Sequence, residues 1–250
     1  TPTANSCPGA PITATVVVNP TPTVNSVSNQ VVCAGAPTTA VTFSGAVAGT
    51  VYNWTNNTPS IGLGASGTGD IASFNGVNAT NAPVTATITV TPSYTNAGTT
   101  CTGTPTTFTI TVNPSNTVTQ VGAQTVCNGG STTAITFSST ATGGSVVYNW
   151  TGTNATIGLP ASGTGNIASF TAINTGTTVV TDTIKVTAAY TNGGTTCNSP
   201  VMLFVITVNP TPDVNTVANQ AVCNGAPTAA VNFSGAVAGT VYQWTNNTTS

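Results

Sequence analysis

A strict alternation of apolar side chains and threonine runs through VTATITVT, residues 84–91. Successive side chains of a β-strand point to opposite faces, so this segment has one apolar face and one hydroxyl face. TFTITV, residues 107–112, and AVTFS, residues 40–44, alternate in the same way. The predicted inward residues are Val41, Phe43, Val84, Ala86, Ile88, Val90, Phe108, Ile110 and Val112. Because the helix formers Glu and Arg are absent, the pattern predicts an all-β fold.

The chain repeats itself with offsets of 94 and 96 residues, as the recurrence of VNP at 18–20, 112–114 and 208–210 shows. A unit of this length is typical of a β-sandwich domain. We therefore predict tandem β-sandwich domains, with two full repeats at 21–114 and 115–210. Residues 1–20 are interpreted as the C-terminal tail of a preceding repeat, and 211–250 as the N-terminal part of a further one. The sequence has no signal-peptide pattern and no apolar run of membrane-spanning length.

A Tyr-x-Trp motif occurs once in each copy, as YNW at 52–54 and 148–150 and as YQW at 242–244. Tyr and Trp two residues apart share one face of a strand. The sequence therefore predicts Trp54, Trp150 and Trp244 as core residues, one per domain, each burying a large apolar surface. The alternative is an exposed aromatic side chain that stacks on a sugar.

Charged residues are almost missing from the sequence, which contains one Lys or Arg, three Asp or Glu and no His. The four are Asp70, Asp182, Lys185 and Asp213. Acid–base and nucleophilic catalysis need a titratable group beside the reacting atom, and nucleic-acid binding needs clustered cations. A metal site needs converging ligands. We therefore expect no enzyme activity, no cofactor, no metal and no nucleic-acid partner.

Each full repeat contains an early and a late cysteine, Cys33 with Cys101 and Cys127 with Cys197. Matching pairs of this kind indicate disulfides and an oxidising compartment. Pairing within each repeat is the first hypothesis, and a bridge between neighbouring repeats, such as Cys33 with Cys197, stays open. Cys7 aligns with the late position and Cys223 with the early one, so their predicted partners lie outside the chain.

Several segments together resemble a known family: QVVCAGAPTTAVTFSG (30–45), YNWTNN (52–57), IGLGASGTGDIASF (61–74), TATITVTPSYTNAGTTC (85–101) and TFTITVNP (107–114). They are similar to the PKD-like, immunoglobulin-like repeats of giant bacterial cell-surface adhesins, including gliding-motility adhesins exported by type IX secretion. The resemblance covers essentially the whole chain. It implies a seven-strand sandwich in a secreted, extracellular protein at the bacterial surface that forms a stalk or adhesive filament. It implies no catalytic residue.

Two features of the second repeat stand out from this pattern. Asp182-Thr183-Ile184 fits the Asp-Ser/Thr-apolar pattern of bacterial O-glycosylation, which makes Thr183 a candidate glycosylation site; the alternative is an ordinary strand threonine. In MLFVITV, residues 202–208, Leu203 and Val205 occupy outward positions at which the first repeat has threonine. They are a candidate contact patch for another chain or domain, or else scattered apolar surface residues.

Two functions follow as hypotheses. The first is a structural or adhesive repeat, with other copies of itself or neighbouring repeats as partners. The second is a ligand-binding module in which the flat threonine rows at 85, 87, 89 and 91 and at 107, 109 and 111 contact polysaccharide or ice.

Overall fold

The structure is a computed structural model that describes residues 1–248. It contains two compact units, Thr1–Pro114 and Ser115–Ser250, each treated by itself below. The only helical elements in the described part of the chain are two single 3-10 turns, Pro59–Ile61 and Ala155–Ile157. The all-β fold predicted from the alternation is confirmed.

The strands are numbered in chain order. The first unit contains β1 Thr3–Ala4, β2 Cys7–Pro8, β3 Gln30–Cys33, β4 Val51–Asn56, β5 Ser66–Thr68, β6 Val84–Asn96, β7 Thr99–Thr102 and β8 Thr106–Asn113. The second contains β9 Gln124–Cys127, β10 Ser145–Gly152, β11 Ser162–Thr164, β12 Val180–Asn192, β13 Thr195–Asn198 and β14 Met202–Asn209.

One six-stranded sheet dominates each unit. In the first unit the order is β3-β8-β6-β4-β5, with β7 paired to the far half of β6. All pairs are antiparallel except β3 with β8. The second unit repeats this arrangement as β9-β14-β12-β10-β11, with β13 on β12. The two repeats therefore have the same topology.

The long strand β6 is the axis of the first unit. Its first half pairs with β8 and its second half with β7, through a two-residue turn at Ala97 and Gly98. Both turn residues have positive φ, 49° and 79°, which is the geometry of a tight hairpin turn and suits glycine at the second position. Asn192-Gly193-Gly194-Thr195 forms the equivalent turn in the second unit.

A second layer covers the apolar face of each sheet. In the first unit it is held by isolated bridges, such as Val41 to Ile71, rather than by long strands. Its side chains pack on the inward residues of the main sheet in one buried cluster: Val41, Phe43, Trp54, Ile61, Leu63, Ile71, Ala86, Ile88, Val90, Phe108, Ile110 and Val112. The second unit has the equivalent cluster around Trp150. The fold of each unit is an immunoglobulin-like β-sandwich, with a Trp on a middle strand packed between the two layers.

Candidate functional site

The tryptophan of each full repeat is packed against a glycine. Trp54 is 8% exposed, and its Nε1 donates a hydrogen bond to the Gly69 carbonyl at 3.2 Å. A Cβ placed on Gly67 would lie 2.2 Å from Cζ2 of this indole, and a Cβ placed on Gly163 would lie at the same distance from Cζ2 of Trp150. Because any side chain at Gly67 would occupy the space of the ring, the glycine leaves room for the buried indole. Trp54 and Trp150 are thus structural residues.

Trp244 lies in a different environment, and its prediction as a core residue is wrong for this chain. The side chain is 72% exposed. In the core of the first unit the indole is covered by β6 and β8, and residues 211–250 contain no segments equivalent to these strands. No strand is formed in the described part of 211–248, although Asn215 N–H still donates to the Ser234 carbonyl, as Asn25 does to Ser44.

The two cysteines of each repeat lie at opposite ends of the main sheet. In the parallel pair of β3 and β8, Cys33 lies opposite Asn113 at the C-terminal end of β8. We call this end of the sheet the exit end. Cys101 pairs with Tyr94 beside the β6–β7 turn, where the Asn19 side chain bonds the carbonyls of the hairpin; we call this the entrance end. The second unit repeats this, with Cys127 opposite Asn209 and Cys197 opposite Tyr190.

This placement overturns pairing within a repeat. Roughly ten residues of β6 separate the two ends, or about 30 Å at the rise of a strand. The Cα atoms of a disulfide lie within about 7 Å of each other, so neither Cys33 with Cys101 nor Cys127 with Cys197 can bond. Cys33 and Cys197 are disulfide-bonded in the structure. Cys7, Cys101, Cys127 and Cys223 carry free thiols.

All three carboxylates accept hydrogen bonds from backbone N–H groups. Asp70 accepts from Phe43 at 2.9 Å, and its counterpart Asn166 accepts from Phe137 at the same distance. Asp213 accepts from Ala236 at 2.7 Å. Since the side-chain amide oxygen of Asn166 accepts the equivalent bond in the second repeat, this position requires an oxygen acceptor but no negative charge. No group of three or more metal-binding side chains occurs among the described residues.

Asp182 is the one fully buried carboxylate in the described chain. Its Oδ1 accepts from the backbone N–H groups of Thr153 and Asn154, at 2.7 and 2.9 Å, and from the Thr153 hydroxyl. These bonds hold the loop that follows β10. Its Oδ2 has no hydrogen-bond partner among the described residues.

The first repeat holds the equivalent loop from a different strand. There Asn56 on β4 accepts from Thr58 N–H at 2.9 Å, and Ala86 occupies the position of Asp182. In the second repeat Gly152 replaces Asn56, and a Cβ at Gly152 would lie 2.5 Å from the Asp182 carboxylate. The acceptor of the second repeat therefore lies on β12, whereas that of the first repeat lies on β4. Gly152 on β10 leaves space for the Asp182 carboxylate. Sequence reasoning missed this role, although Asp182 shares the inward phase of Val180 and Ile184.

The candidate glycosylation site Thr183 is half-buried on β12, next to the buried Asp182. Its backbone N–H donates to the Thr153 hydroxyl at 3.0 Å, so the residue forms part of the same loop support. Glycosylation of Thr183 remains a proposal. Its neighbour Asp182 has a structural role that requires no sugar.

The candidate contact patch lies on the outer face of β14. Leu203 is 51% exposed and Val205 is half-buried, while Phe204 between them is buried in the core. Across the strand, Leu203 is opposite Lys185 and Val205 is opposite Thr183. The apolar stem of a lysine readily lies along such a surface. The patch is therefore small and bordered by polar groups.

The threonine rows form cross-strand pairs on the outer face of the first unit. Thr85 is opposite Thr111, Thr87 opposite Thr109 and Thr89 opposite Thr107. The hydroxyls of Thr85 and Thr111 are hydrogen-bonded to each other at 2.9 Å. The second repeat does not keep the array, since Lys185, Leu203 and Val205 interrupt it.

Tyr190 is the largest fully buried side chain of the described residues. Its hydroxyl donates to the Thr142 carbonyl at 2.9 Å. Burial disfavours the phenolate, so the pKa of Tyr190 is raised above its ordinary value, and burial also raises the pKa of Tyr148. Both phenols are thus neutral packing groups at physiological pH.

Comparison with known proteins gives distant structural likenesses alone. No known protein-family model matches the sequence, and no curated protein matches it either. In the described residues no helix is long and apolar enough to cross a bilayer.

Two solved structures illustrate the likeness. One is the insect immune protein hemolin, whose domain arrangement has implications for homophilic adhesion, at 14% identity and a TM-score of 0.33. The similarity covers 75% of this chain and 47% of hemolin, so the chain spans about half of hemolin's length. The other is the tandem Ig repeats of Dlar, at 13% identity and a TM-score of 0.23, covering 75% of this chain and 98% of that one. The strand order and core described above give the fold independently of both.

Proposed function

We propose that the chain is a structural and adhesive repeat of an extracellular bacterial surface protein, in which β-sandwich domains joined in series form a stalk or filament. The observation that carries this proposal is the placement of the chain ends within the first unit. The polypeptide enters beside the β6–β7 turn and leaves at the end of β8, at the opposite end of the sheet. Entry and exit at opposite ends of a unit are what a stalk of units joined in series requires.

The chemistry of the side chains supports the same proposal. The three carboxylates accept hydrogen bonds from backbone N–H groups, and the tryptophans of both full repeats are packed in cores. A disulfide is typical of an oxidising, extracellular compartment. Near-neutral surfaces, with one cation and three anions in 250 residues, place little repulsion between laterally packed copies.

Electron microscopy of the native protein tests the proposal. Strand β6 has 13 residues and is about 43 Å long at the rise of a β-strand, so we expect thin rods with an axial repeat of about 4 nm per domain. Antibody labelling of intact cells should place the rods at the surface. Compact globules, or labelling that requires cell lysis, would contradict it.

Binding of polysaccharide or ice through the threonine rows is the second candidate. It is supported by the paired rows of the first unit, but the interruption in the second repeat leaves no continuous array. A thermal-hysteresis measurement and a polysaccharide pull-down distinguish it from the stalk, since a purely structural repeat gives neither signal.

A further inference from the structure

The directions of the first and last strands in each repeat carry an inference that deepens the stalk function and rests on it. In the first unit β3, the first strand after residue 21, pairs with β8, the last, and the two run parallel. Their register extends from Gln30 opposite Ile110 to Cys33 opposite Asn113. Tension on the chain therefore pulls β3 by its N-terminal end and β8 by its C-terminal end, in opposite directions along the same axis.

Strands loaded in this way slide past each other. The hydrogen bonds of a parallel pair are evenly spaced, so all of them share the load and must break together. In an antiparallel hairpin pulled by its two free ends, the load falls instead on one pair of bonds at a time. The pair of β3 and β8 thus has the geometry in which a few backbone bonds resist tension together rather than in turn.

We propose that the parallel pair of first and last strands is the force-bearing element of each full repeat, and that it sets the rate at which the repeat unfolds under tension. In the second unit β9 and β14 form the same pair, from Gln124 opposite Ile206 to Cys127 opposite Asn209. The direction of each pair follows from its own unit alone, so the property belongs to the single repeat.

The contacts that precede β3 in the chain are single and separate. The Thr23 hydroxyl accepts a hydrogen bond from the Ala46 N–H at 3.0 Å, and the Asn25 N–H donates to the Ser44 carbonyl at 2.8 Å. Such contacts meet the tension one after another, so they give way before the parallel pair does. The resistance of the first unit to unfolding then depends on β3 and β8.

A side-chain hydrogen bond extends the parallel pair in each unit. In the first unit Asn29, just before β3, accepts from the Thr109 N–H of β8 through its Oδ1 at 2.8 Å. In the second unit Ala123 occupies the position of Asn29, and Gln120 Nε2 donates instead to the Leu203 carbonyl of β14 at 3.0 Å. Different side chains therefore tie the segment before the first strand to the last strand in the two repeats.

Replacing these side chains tests the role of the pair. Asn29→Ala removes the bond to β8, and Asn57→Ala is the matched control, because the Oδ1 of Asn57 accepts from the Thr87 N–H at the same 2.8 Å. Asn57 lies in the loop after β4 and ties it to β6, outside the terminal strands.

Single molecules of the whole chain are held at constant force by their two ends, in reductant so that no disulfide diverts the tension. The rates of their two unfolding steps are recorded, and urea unfolding of the same variants measures stability without force. We expect Asn29→Ala to accelerate one of the two steps by about 2- to 10-fold, the factor that one hydrogen bond supplies. Adding Gln120→Ala should accelerate the other step as well.

Asn57→Ala should leave both rates under force nearly unchanged, although it and Asn29→Ala lower the urea midpoint by similar amounts. Equal acceleration by Asn57→Ala, or no acceleration by Asn29→Ala, would overturn the inference. Either result leaves the stalk function untouched, because the microscopy tests that function separately.

Discussion

At the scale of single residues, the indole of Trp54 and the glycine beneath it form one packing unit. We expect Gly67→Ala to destabilise the first unit by about 1–3 kcal/mol, because its Cβ would lie 2.2 Å from the ring. Gly64→Ala is the matched control, since its Cβ would meet its nearest heavy atom at 3.8 Å. That variant should be neutral or stabilising by up to about 1 kcal/mol. Urea unfolding followed by circular dichroism measures both, and equal effects would contradict the packing described.

The exchange between Asn56 and Asp182 predicts a compensating pair of substitutions in the second unit. Asp182→Ala alone leaves the Asn154 N–H without its acceptor and the Thr153 N–H with only its 3.3 Å bond to the Thr183 carbonyl, and should cost about 1–3 kcal/mol. Gly152→Asn alone crowds the carboxylate and should cost a similar amount.

The double variant, Gly152→Asn with Asp182→Ala, recreates the arrangement of the first repeat. We expect it to recover most of the lost stability, to within about 1 kcal/mol of the unsubstituted protein. A double-mutant cycle from urea unfolding gives the coupling. Simple additivity of the two losses would show that the loop is not held as described.

The raised pKa of Tyr190 predicts that the folded state loses stability in alkali. Its raised pKa means that the folded state binds the phenolic proton more tightly than the unfolded state does. This contribution is fully present below the ordinary pKa of about 10 and is lost as the pH rises through the raised value.

We therefore expect the free energy of unfolding to fall above pH 10, and to fall less steeply in Tyr190→Phe. That variant should also be about 1 kcal/mol less stable at pH 7, because it lacks the bond to Thr142. Urea unfolding between pH 7 and 11.5, with free thiols alkylated, measures both effects. Parallel pH profiles for the two proteins would contradict the prediction.

At the scale of elements, alternation was sufficient to predict the central strands and their inward residues. The parallel pair of β3 and β8 was not predictable in this way, because QVVC is only four residues long and does not alternate. The second layer was also beyond sequence reasoning, since isolated bridges leave little periodicity. The position of Asp182 on the inward face of its strand indicated a buried carboxylate. The Asp-Thr-Ile sequence was instead interpreted as a glycosylation pattern centred on Thr183.

Strand β14 allows the alternation itself to be tested. We expect the double variant Leu203→Thr with Val205→Thr, which restores the residues of the first repeat, to change the stability by less than about 1 kcal/mol. Phe204→Ala between them should cost about 3–5 kcal/mol, because that ring is buried against Phe137. Thermal unfolding compares the two, and a large loss in the threonine variant would show that the outer patch is covered.

At the scale of the whole molecule, the pairing of the cysteines could not be predicted from the sequence. A separation of about 70 residues suggests a loop that one disulfide could close. Only the register of β6 reveals that the early and late cysteines lie at opposite ends of the sheet. Linear spacing gives no information about which end of a sandwich a residue occupies.

Pulling single molecules from their two ends tests most directly whether each repeat is a separate sandwich that bears tension along the chain, as we propose. After reduction, we expect two similar unfolding steps, each releasing about 95 residues, or about 30 nm once the folded length is subtracted. A reduced chain that extends without two such steps would contradict the proposed stalk.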